Sequence, residues 1–286
     1  MTRPELVPIT ASEAEAAAAF LHEELNPAVS SAAWTALLRP PWPDAGPDGG
    51  VLLRDGDRVV GVYAAVRSAR DDGGTVVSLC NLAAFCVLEE YRMHSVRMVR
   101  ALLGQRDVQF TDLSPSGNVV AMNERLGFIR LDTATRLVLN PPARLPRGVR
   151  ISDAPAMFEA VLQGDDARIY QDHRDAAAAR HLLIQQGERY AYLVYRAHRM
   201  KRLRLFALPL YAGGDRALLE EAWGAVRAYL LRHDGLPFTL AEGRLLGFAR
   251  GIGRTLRSPR ARMVRGAGLD AARIDYLYSE LALVEW

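Results

Sequence analysis

The spacing of apolar residues in the first half of the chain alternates between the two-residue period of strands and the 3.6-residue period of helices. β-rich runs on both sides of Asp55-Gly56 predict a hairpin, because this dipeptide favours the tight turn between paired strands. Residues 75–87 predict a long strand, 92–103 an amphipathic helix, 108–113 a strand and 128–139 a final strand region. With an N-terminal strand and two helices before the hairpin, the predicted order of elements is βααβββαβαβ.

The second half of the chain repeats this order of elements. Its start is marked by residues 140–148, which contain three prolines without an apolar period and are the best candidate for a linker. Val99–Leu103 is also similar in sequence to Val226–Leu230. We therefore predict two domains, over 1–140 and 149–286, that arose by duplication; an unrelated α+β second domain is the alternative.

Length and composition indicate a globular protein of two ordinary domains, with 286 residues, 50% of them hydrophobic and 24% charged. No apolar run reaches the roughly 18 residues that span a bilayer, and the N-terminus lacks the apolar core of a signal peptide, so a cytoplasmic location is expected. Cys80 and Cys86 fall in one predicted strand about 20 Å apart and cannot form a disulfide with each other. No Cys or His spacing typical of a metal site occurs, and no metal is expected.

Arginine is unevenly distributed along the chain. Of 36 basic residues only Lys201 is a lysine, and the stretch from Gly243 to Leu269 contains seven arginines and no acid. The stretch is expected to be a loop with at most a short helix. Three interpretations remain open for Arg244–Arg265: it binds an anionic substrate or an acyl-carrier protein, it is a solvated loop, or it contacts nucleic acid. Nucleic acid is disfavoured, because Phe248 is the only aromatic residue there that could stack on bases.

The most informative stretch of the sequence is 85–128. An apolar strand that ends near Val87 is followed by a charged turn, and the turn opens directly into the helix over 92–103. The first turn of a helix carries backbone N–H groups without partners inside the helix, and such groups bind phosphate. The stretch therefore predicts a site for a phosphate-bearing ligand.

Two motifs in this stretch resemble the GCN5-related N-acetyltransferase (GNAT) superfamily. They are the pattern V-x-x-x-Y-R-x-x-S-x-R over 87–97 and the helix end L-G-F over 126–128. The resemblance covers about residues 5–140. It implies an α+β fold with two GNAT-like domains, each a mixed β-sheet flanked by helices. In such a sheet the fourth and fifth strands splay apart. In the family, an acyl-coenzyme A lies in that gap.

By this resemblance, the donor is acetyl-coenzyme A or another acyl-coenzyme A, and it lies along the fourth strand and the following turn. Its pantetheine pairs with the strand at Phe85, Cys86 and Val87. Its pyrophosphate contacts the turn formed by Arg92, Met93, His94, Ser95, Val96 and Arg97. Ser95 and Arg97 replace two small residues of the family's turn. Arg97 either clamps the phosphates or lies across the site and weakens binding.

The residues that exchange protons in many family members are replaced in this chain. Asn123 stands where those members have a tyrosine acid, and Asn81 stands where histone-type members have a glutamate base. Asparagine orients a water or a substrate but exchanges no proton near neutral pH. Asp112 is the candidate base and Ser114 the candidate donor to the leaving sulfur, with His94 as a weaker candidate catalyst.

The resemblance implies an acyl-CoA-dependent acyltransferase, most simply an N-acetyltransferase, that transfers its acyl group directly to an amine of a small molecule or an amino sugar. The amino sugar rests on a looser resemblance to tandem GNAT-like proteins of bacterial surface-polysaccharide gene clusters, through Trp34 and residues 40–42, 113–116 and 278–281. A catalytically inactive GNAT-like binding or scaffold protein is the alternative.

The second half lacks the phosphate-binding turn of the family and is interpreted as a degenerate GNAT-like domain. At the equivalent place Asp215 begins a helix, and an aspartate cap competes with phosphate for the same backbone amides. This half is expected not to bind coenzyme A but to complete the substrate pocket or to form the surface of a homodimer. Within it, a helix is expected over 176–185 and a closing strand over 274–281.

Overall fold

The structure is a computed structural model that describes residues 3–200 and 203–285. Its strands in chain order are β1 (Glu5–Pro8), β2 (Gly50–Asp55), β3 (Arg58–Asp72), β4 (Thr75–Val87), β5 (Val108–Asp112), β6 (Ile129–Arg130), β7 (Thr135–Leu139), β8 (Val149–Ser152), β9 (Arg180–Gln186), β10 (Arg189–Met200), β11 (Leu203–Gly214), β12 (Phe238–Glu242), β13 (Gly253–Leu256) and β14 (Met263–Arg265). Its α-helices are α1 (Ala14–Phe20), α2 (Ser31–Leu38), α3 (Ser95–Leu103), α4 (Gly117–Arg125), α5 (Pro155–Val161), α6 (Gly164–His173), α7 (Arg216–Glu221), α8 (Trp223–Asp234), α9 (Gly243–Leu246) and α10 (Glu280–Leu283). A π-helical turn, Leu21–Leu25, continues α1, and short 3₁₀ helices cover Pro43–Ala45, Glu89–His94 and Ala271–Arg273.

The described residues form two compact units, and each unit is built from more than one segment of the chain. Unit 1 comprises residues 3–131, 261–271 and 278–285, and unit 2 comprises the described residues of 132–260 together with 272–277. Each unit contains a seven-stranded mixed sheet flanked by helices, which confirms the expected α+β fold with two mixed sheets. The domain limits 1–140 and 149–286 stay a prediction.

The sheet of unit 1 has the strand order β1-β2-β3-β4-β5-β14-β6. Its first four strands are antiparallel to their neighbours, whereas β4 and β5 run parallel. Strand β14 lies between β5 and β6 and is antiparallel to both. Met263 on β14 is fully buried in the same core as Phe110 and Phe128. The last part of the chain therefore supplies an interior strand of the first sheet.

The sheet of unit 2 has the order β13-β7-β12-β11-β10-β9-β8. Its only parallel pair among the described strands is β11 with β12, the counterpart of β4 with β5 in unit 1. Helices α7 and α8 bury Leu218, Leu219, Trp223 and Val226 in the core of this unit. The two units thus share the same strand arrangement around one short parallel pair, as the expected duplication requires.

Two elements expected in the second half differ in the structure. The helix expected over 176–185 is wrong: residues 180–186 form β9, which pairs with both β8 and β10 and buries Leu182 and Ile184. Strand pairing and burial here override the helix propensity of the alanines just before it. The closing strand expected over 274–281 is also wrong. Its end is instead α10, which Ser279 caps by accepting a hydrogen bond from the Leu281 N–H.

Two further stretches differ because their partners lie far away along the chain. The single strand region expected over 128–139 divides into β6 in the first sheet and β7 in the second. The turn between them is held by Asp132, whose carboxylate accepts the Ala134 N–H at 2.9 Å. The arginine-rich stretch 244–265, expected to be a loop with at most a short helix, contains the short helix α9 but also the strands β13 and β14. These short strands carry no clear periodicity, and only their distant neighbours define them.

Cys80 and Cys86 both lie on β4 and are free thiols, in agreement with the expectation that they form no disulfide with each other. Among the described residues, no helix is both long and apolar enough to cross a membrane. In the same part of the chain, no group of three or more His, Cys, Asp or Glu side chains is arranged to hold a metal ion.

The burial of β14 predicts the effect of Met263→Ala. Met263 is fully buried, so its truncation should lower the free energy of unfolding by about 2–5 kcal/mol. Urea denaturation followed by fluorescence measures the change. Ile252→Ala is the control, because that side chain is 77% exposed and its loss should change stability little. Equal effects of the two substitutions would contradict the placement of β14 in the first sheet.

Candidate active site

A cleft opens in unit 1 where the parallel strands β4 and β5 separate. The two strands pair from Ser78 with Val108 to Asn81 with Thr111, and no further pair follows. Beyond that point lies a cavity of about 430 Å³. It is lined by Leu25, Asn26, Trp34, Tyr63, Leu82, Ala83, Ala84, Phe85, Asp112, Ser114, Pro115, Ser116, Val119 and Met122.

A β-bulge in β4 accompanies this separation. On the β3 side Ala65 pairs with Leu82 and Tyr63 pairs with Phe85, so two residues of β4 oppose one residue of β3. An extra residue in one strand bends that strand and increases its local twist. The bend turns β4 away from β5 and leaves the backbone of 82–85 as a free edge along the cleft.

Asp112 is the last residue of β5 and lines the cleft. Its carboxylate accepts hydrogen bonds from the Asn123 amide at 2.7 Å and from the Ser114 N–H at 3.4 Å. The pKa of Asp112 is raised to about 7, mainly by burial; the Asn123 hydrogen bond opposes the rise, and the nearby Glu280 carboxylate adds to it. A carboxyl group with this pKa gains and loses a proton near neutral pH, which is what a general base needs.

Glu280 lies directly behind this wall of the cleft and is completely buried. One carboxylate oxygen accepts the Ser114 hydroxyl at 2.5 Å, and the other accepts the Asn81 amide at 2.6 Å. Burial raises the pKa of Glu280, while the Ser114 hydroxyl is the largest opposing influence. No role is predicted for this residue from the sequence, because 274–281 is expected to be a strand and its Tyr-Ser-Glu-Leu ending serves only as part of a looser resemblance.

The two asparagines that replace the usual proton carriers are both buried and hold the two carboxylates. Asn123 donates to Asp112, and Asn81 donates to Glu280 while its own oxygen accepts the Thr111 hydroxyl at 3.1 Å. Neither asparagine is part of the cleft lining. The structure therefore brings Asn81, Asp112, Ser114 and Asn123 together, as the sequence predicts, but only Asp112 and Ser114 reach the cleft.

Tyr63 on β3 is a further polar residue of the cleft that the sequence did not reveal. Its ring lies against Phe85 with ring centroids 4.4 Å apart, and the residue is 5% exposed. Burial and the nearby Asp112 carboxylate raise the pKa of its hydroxyl well above the ordinary value, so the phenol stays protonated. A protonated hydroxyl in the lining is a hydrogen-bond donor for a group that gains negative charge there.

Comparison of the whole fold with solved structures gives consistent neighbours. A GCN5-related N-acetyltransferase from Anabaena variabilis has a TM-score of 0.59 at 14% identity, over 92% of this chain and 72% of that chain. A probable N-acyltransferase from Enterococcus faecalis has a TM-score of 0.59 at 12% identity, over 92% and 73% of the two chains. Eis1 from Mycobacterium abscessus has a TM-score of 0.53 at 16% identity, over 91% and 73%. This chain has the GNAT fold.

The likeness concerns the fold, because all three identities are low. The sequence itself matches no protein-family model and no curated protein. The expected tandem GNAT-like fold is nevertheless confirmed, since these neighbours cover more than nine tenths of the chain. The splay of β4 and β5 is the gap that the family resemblance implied.

The residues that the family resemblance assigns to binding of the acyl-coenzyme A donor fall into two groups in this GNAT fold, one at the end of β4 and one in the turn after it. Phe85 lines the cleft, and Cys86 and Val87 continue the same strand edge. Cys86 is half-buried, and burial raises the pKa of its thiol. Arg92, Met93, His94, Ser95, Val96 and Arg97 lie beyond the lining, on the 3₁₀ helix Glu89–His94 and the first turn of α3.

The turn is more closed than the phosphate-binding turn expected from the family. The Ser95 N–H donates to the Arg92 carbonyl, so this amide already has a partner. Arg97 donates from its guanidinium to the Pro4 carbonyl at 3.0 Å. Arg92 is exposed and pairs with exposed Glu89 at 2.8 Å, a contact that an incoming phosphate could replace at little cost. The helix predicted over 92–103 starts only at Ser95, because the preceding residues form the 3₁₀ helix.

The equivalent gap of unit 2 is filled by the chain itself. Strands β11 and β12 pair only at Phe206–Phe238 and Ala207–Thr239, and beyond this point the Tyr276 N–H donates to the Leu210 carbonyl at 2.9 Å. Glu242, the last residue of β12 and the counterpart of Asp112, accepts the Tyr276 hydroxyl at 2.6 Å and the Arg244 guanidinium at 3.0 Å. Asp215 caps α7 through the Leu218 N–H, as expected. These contacts support the interpretation of the second half as degenerate.

The arginines of 244–265 are not a uniform exposed patch. Arg250 pairs with Glu220 at 2.6 Å, Arg262 is buried and donates to the Leu113 carbonyl, and Arg265 donates to the Leu103 carbonyl at 3.3 Å. Arg244 is held by Glu242 and the Ile274 carbonyl. Much of the positive charge of this stretch is therefore used inside the units, and an anionic partner there stays a prediction.

The raised pKa of Asp112 predicts a pH-dependent effect of Asp112→Asn on stability. The folded-state pKa is about 7 and the ordinary value is 3.8, so the folded protein binds this proton more tightly and loses stability as the pH rises from about 4 to 7. Asparagine carries no charge, so the substitution should become more favourable by up to about 4 kcal/mol between pH 4.5 and pH 8. Melting temperatures at the two pH values measure this difference.

Asp57→Asn is the matched control, because Asp57 is exposed in the β2–β3 turn and its substitution should have the same effect at both pH values. A difference between Asp112→Asn and the unsubstituted protein that does not vary with pH would mean that Asp112 titrates normally.

Proposed function

We propose that unit 1 is an acyl-CoA-dependent acyltransferase that transfers an acyl group to the amine of a small molecule. The observation that carries this proposal is the free edge of β4 over 82–85, which faces Asp112 and Ser114 across a cleft of about 430 Å³. A free strand edge can pair with the amides of pantetheine in the manner of an added strand. The names of the neighbours with this fold, N-acetyltransferase and probable N-acyltransferase, support the same reaction class.

In the proposed reaction the amine nitrogen attacks the thioester carbon while both substrates lie in the cleft. As the C–N bond forms, Asp112 accepts the proton that the nitrogen loses. The carbonyl oxygen gains negative charge and is stabilised by backbone N–H groups along the free edge of β4. The C–S bond then breaks, and the thiolate of coenzyme A leaves with a hydrogen bond from the Tyr63 hydroxyl, because Ser114 already donates its single proton to Glu280. Holding both substrates side by side supplies much of the rate.

The buried network gives the remaining residues positioning roles. Asn123 fixes the orientation of the Asp112 carboxylate, and Glu280 fixes the Ser114 hydroxyl with the help of Asn81. A fixed base needs no reorganisation when the amine arrives. Asn81 and Asn123, which replace the usual proton carriers of the family, thus hold carboxylates that the usual site does not use.

A non-catalytic binding protein with the GNAT fold is the second candidate. It is favoured by the 3₁₀ turn and by the contact of Arg97 with the Pro4 carbonyl, which together leave fewer free donors for a pyrophosphate. The role of Arg97 as clamp or obstruction stays open to Arg97→Gly: weaker binding of coenzyme A would identify a clamp, and tighter binding an obstruction.

The finer statements remain predictions. They are acetyl as the acyl group, the amino sugar as acceptor, a homodimer, an acyl-carrier protein or other anionic partner at Arg244–Arg265, a bacterial origin and a cytoplasmic location. The length of the acyl group that the cleft accepts would be defined by a comparison of acetyl-, butyryl- and octanoyl-coenzyme A as donors.

Binding of the donor is tested by calorimetry with acetyl-coenzyme A. We expect a dissociation constant in the micromolar range for the unsubstituted protein, which is typical for a substrate. Val119→Trp adds a large ring to the lining of the cleft and should weaken binding at least tenfold. Val76→Trp is the control, since Val76 is 70% exposed and lies outside the cleft. Absence of binding at millimolar acetyl-coenzyme A would contradict the proposed function.

Catalysis by Asp112 is tested by the pH profile of acetyl transfer. Because the carboxylate is the active form, kcat/KM should rise with pH and level off above about 7, the pKa of Asp112. Asp112→Asn should lower kcat at least 100-fold and leave the dissociation constant of acetyl-coenzyme A nearly unchanged. Asp57→Asn should keep full activity. If the Asp112→Asn protein keeps its activity, the base is another residue or water and not Asp112.

A further inference from the structure

As far as the structure describes the chain, the lining of the cleft contains no positively charged side chain. Among the described residues that line it, Asp112 is the only ionisable carboxyl group, and the other polar members are Asn26, Tyr63, Ser114 and Ser116. Arg262 is buried outside the lining and donates to the Leu113 carbonyl. No guanidinium, imidazole or ammonium group in the lining is therefore placed to receive a carboxylate or phosphate of a substrate.

The walls around Asp112 are apolar and aromatic. Trp34 and Tyr63 are buried beneath the surface of the cleft, and Leu25, Phe85 and Met122 are partly exposed to it. Such walls bind an apolar or aromatic group by excluding water from both surfaces. A sugar ring, by contrast, needs partners for several hydroxyls, and few polar side chains are available here.

The wall that α1 contributes ends in a π-helical turn, Leu21–Leu25. This wider turn, of a kind that occurs often at functional sites, places Leu25 and Asn26 in the lining. It also carries the exposed acids Glu23 and Glu24. The charge of Glu24 is felt at Cys86, where it adds to the effect of burial in raising the pKa of the thiol. The two acids directly precede the lining residue Leu25 in the chain, so the π-helical turn adds negative charge beside the cleft.

We infer that the acceptor is a primary amine with an apolar or aromatic body and without a carboxylate or phosphate group. This inference rests on the acyl transfer proposed above and names the acceptor class of the same site. The ammonium group of such an amine is attracted to Asp112 and Glu24, and its body packs against Leu25, Trp34 and Met122. Amino acids and phosphorylated amino sugars are excluded, because their anionic group would lie in an apolar, acidic cleft without a counter-ion.

The test uses pairs of amines that differ by a single anionic group. 2-Phenylethylamine and L-phenylalanine differ by a carboxylate, and glucosamine and glucosamine 6-phosphate differ by a phosphate. We expect kcat/KM for 2-phenylethylamine to exceed that for L-phenylalanine by about 100-fold, the effect of one unpaired buried charge. Glucosamine should be acetylated less well than 2-phenylethylamine and better than its 6-phosphate. A preference within threefold for either pair, or a preference for the anionic member, would overturn the inference.

Equilibrium binding separates the acceptor class from the reaction. The affinities of 2-phenylethylamine and L-phenylalanine for the protein saturated with coenzyme A are measured by calorimetry, which needs no turnover. The same preference in binding without acetyl transfer would support the acceptor class and contradict the proposed catalysis. Acetyl transfer to both amines with equal affinity would support catalysis and contradict the acceptor class.

A charge introduced at the mouth provides the second measurement. Leu25→Arg places a guanidinium in the lining, and Leu25 is 40% exposed, so the substitution is compatible with folding. It should reduce the preference for 2-phenylethylamine over L-phenylalanine at least tenfold. Val76→Arg adds the same charge at a site 70% exposed and outside the cleft and should leave the preference unchanged. An unchanged preference in Leu25→Arg would show that the lining charge does not select the acceptor.

Discussion

The parallel pairing of β4 with β5 stops after Asn81 and Thr111, and the architecture of unit 1 depends on that stop. Beyond it β4 still pairs with β3 but has no partner on the side of β5, which is costly for buried amides unless a substrate or water supplies the missing hydrogen bonds. The β-bulge opposite Ala64 bends β4 at this point, so that β4 does not pair with β5 again. The cleft is therefore an intrinsic feature of how two strands diverge, and the chemistry is added at its edge.

The carboxylates beside this edge show how burial tunes reactivity. Asp112 and Glu280 are both held away from water, and each would be costly to ionise without partners. Asn123, Asn81 and Ser114 donate hydrogen bonds that lower the free-energy cost of ionising these carboxyl groups without adding a positive charge. The balance leaves Asp112 near the midpoint of its titration at neutral pH, whereas an arginine partner would have fixed it as a permanent anion.

Unit 2 shows the same strand arrangement used for a different purpose. There the acid at the end of the short parallel strand, Glu242, is neutralised by Arg244 and bound by Tyr276, and the chain itself contacts the adjacent edge at Leu210. An ion pair closed by a buried tyrosine stabilises a fold but offers no proton to a substrate. Comparison of the two units identifies what distinguishes an open site from a closed one: whether the strand edge lacks a protein partner, and whether its terminal acid is held by neutral hydrogen-bond donors or by an ion pair.

The amino-acid sequence by itself indicated most local elements of the first half, including the strand-turn-helix over 85–103, and singled out Asp112, Ser114, Asn81 and Asn123 as one group. These follow from short-range periodicity, turn residues and a motif whose members lie within 50 residues of one another. Only the tertiary structure decided that β14 enters the first sheet, that Glu280 lies behind Asp112, and that Tyr63 faces the cleft. Each of these features depends on a partner far away in the chain. Such pairing is set by burial and by backbone hydrogen bonds, and elements of three or four residues are too short to show a hydrophobic period in the sequence.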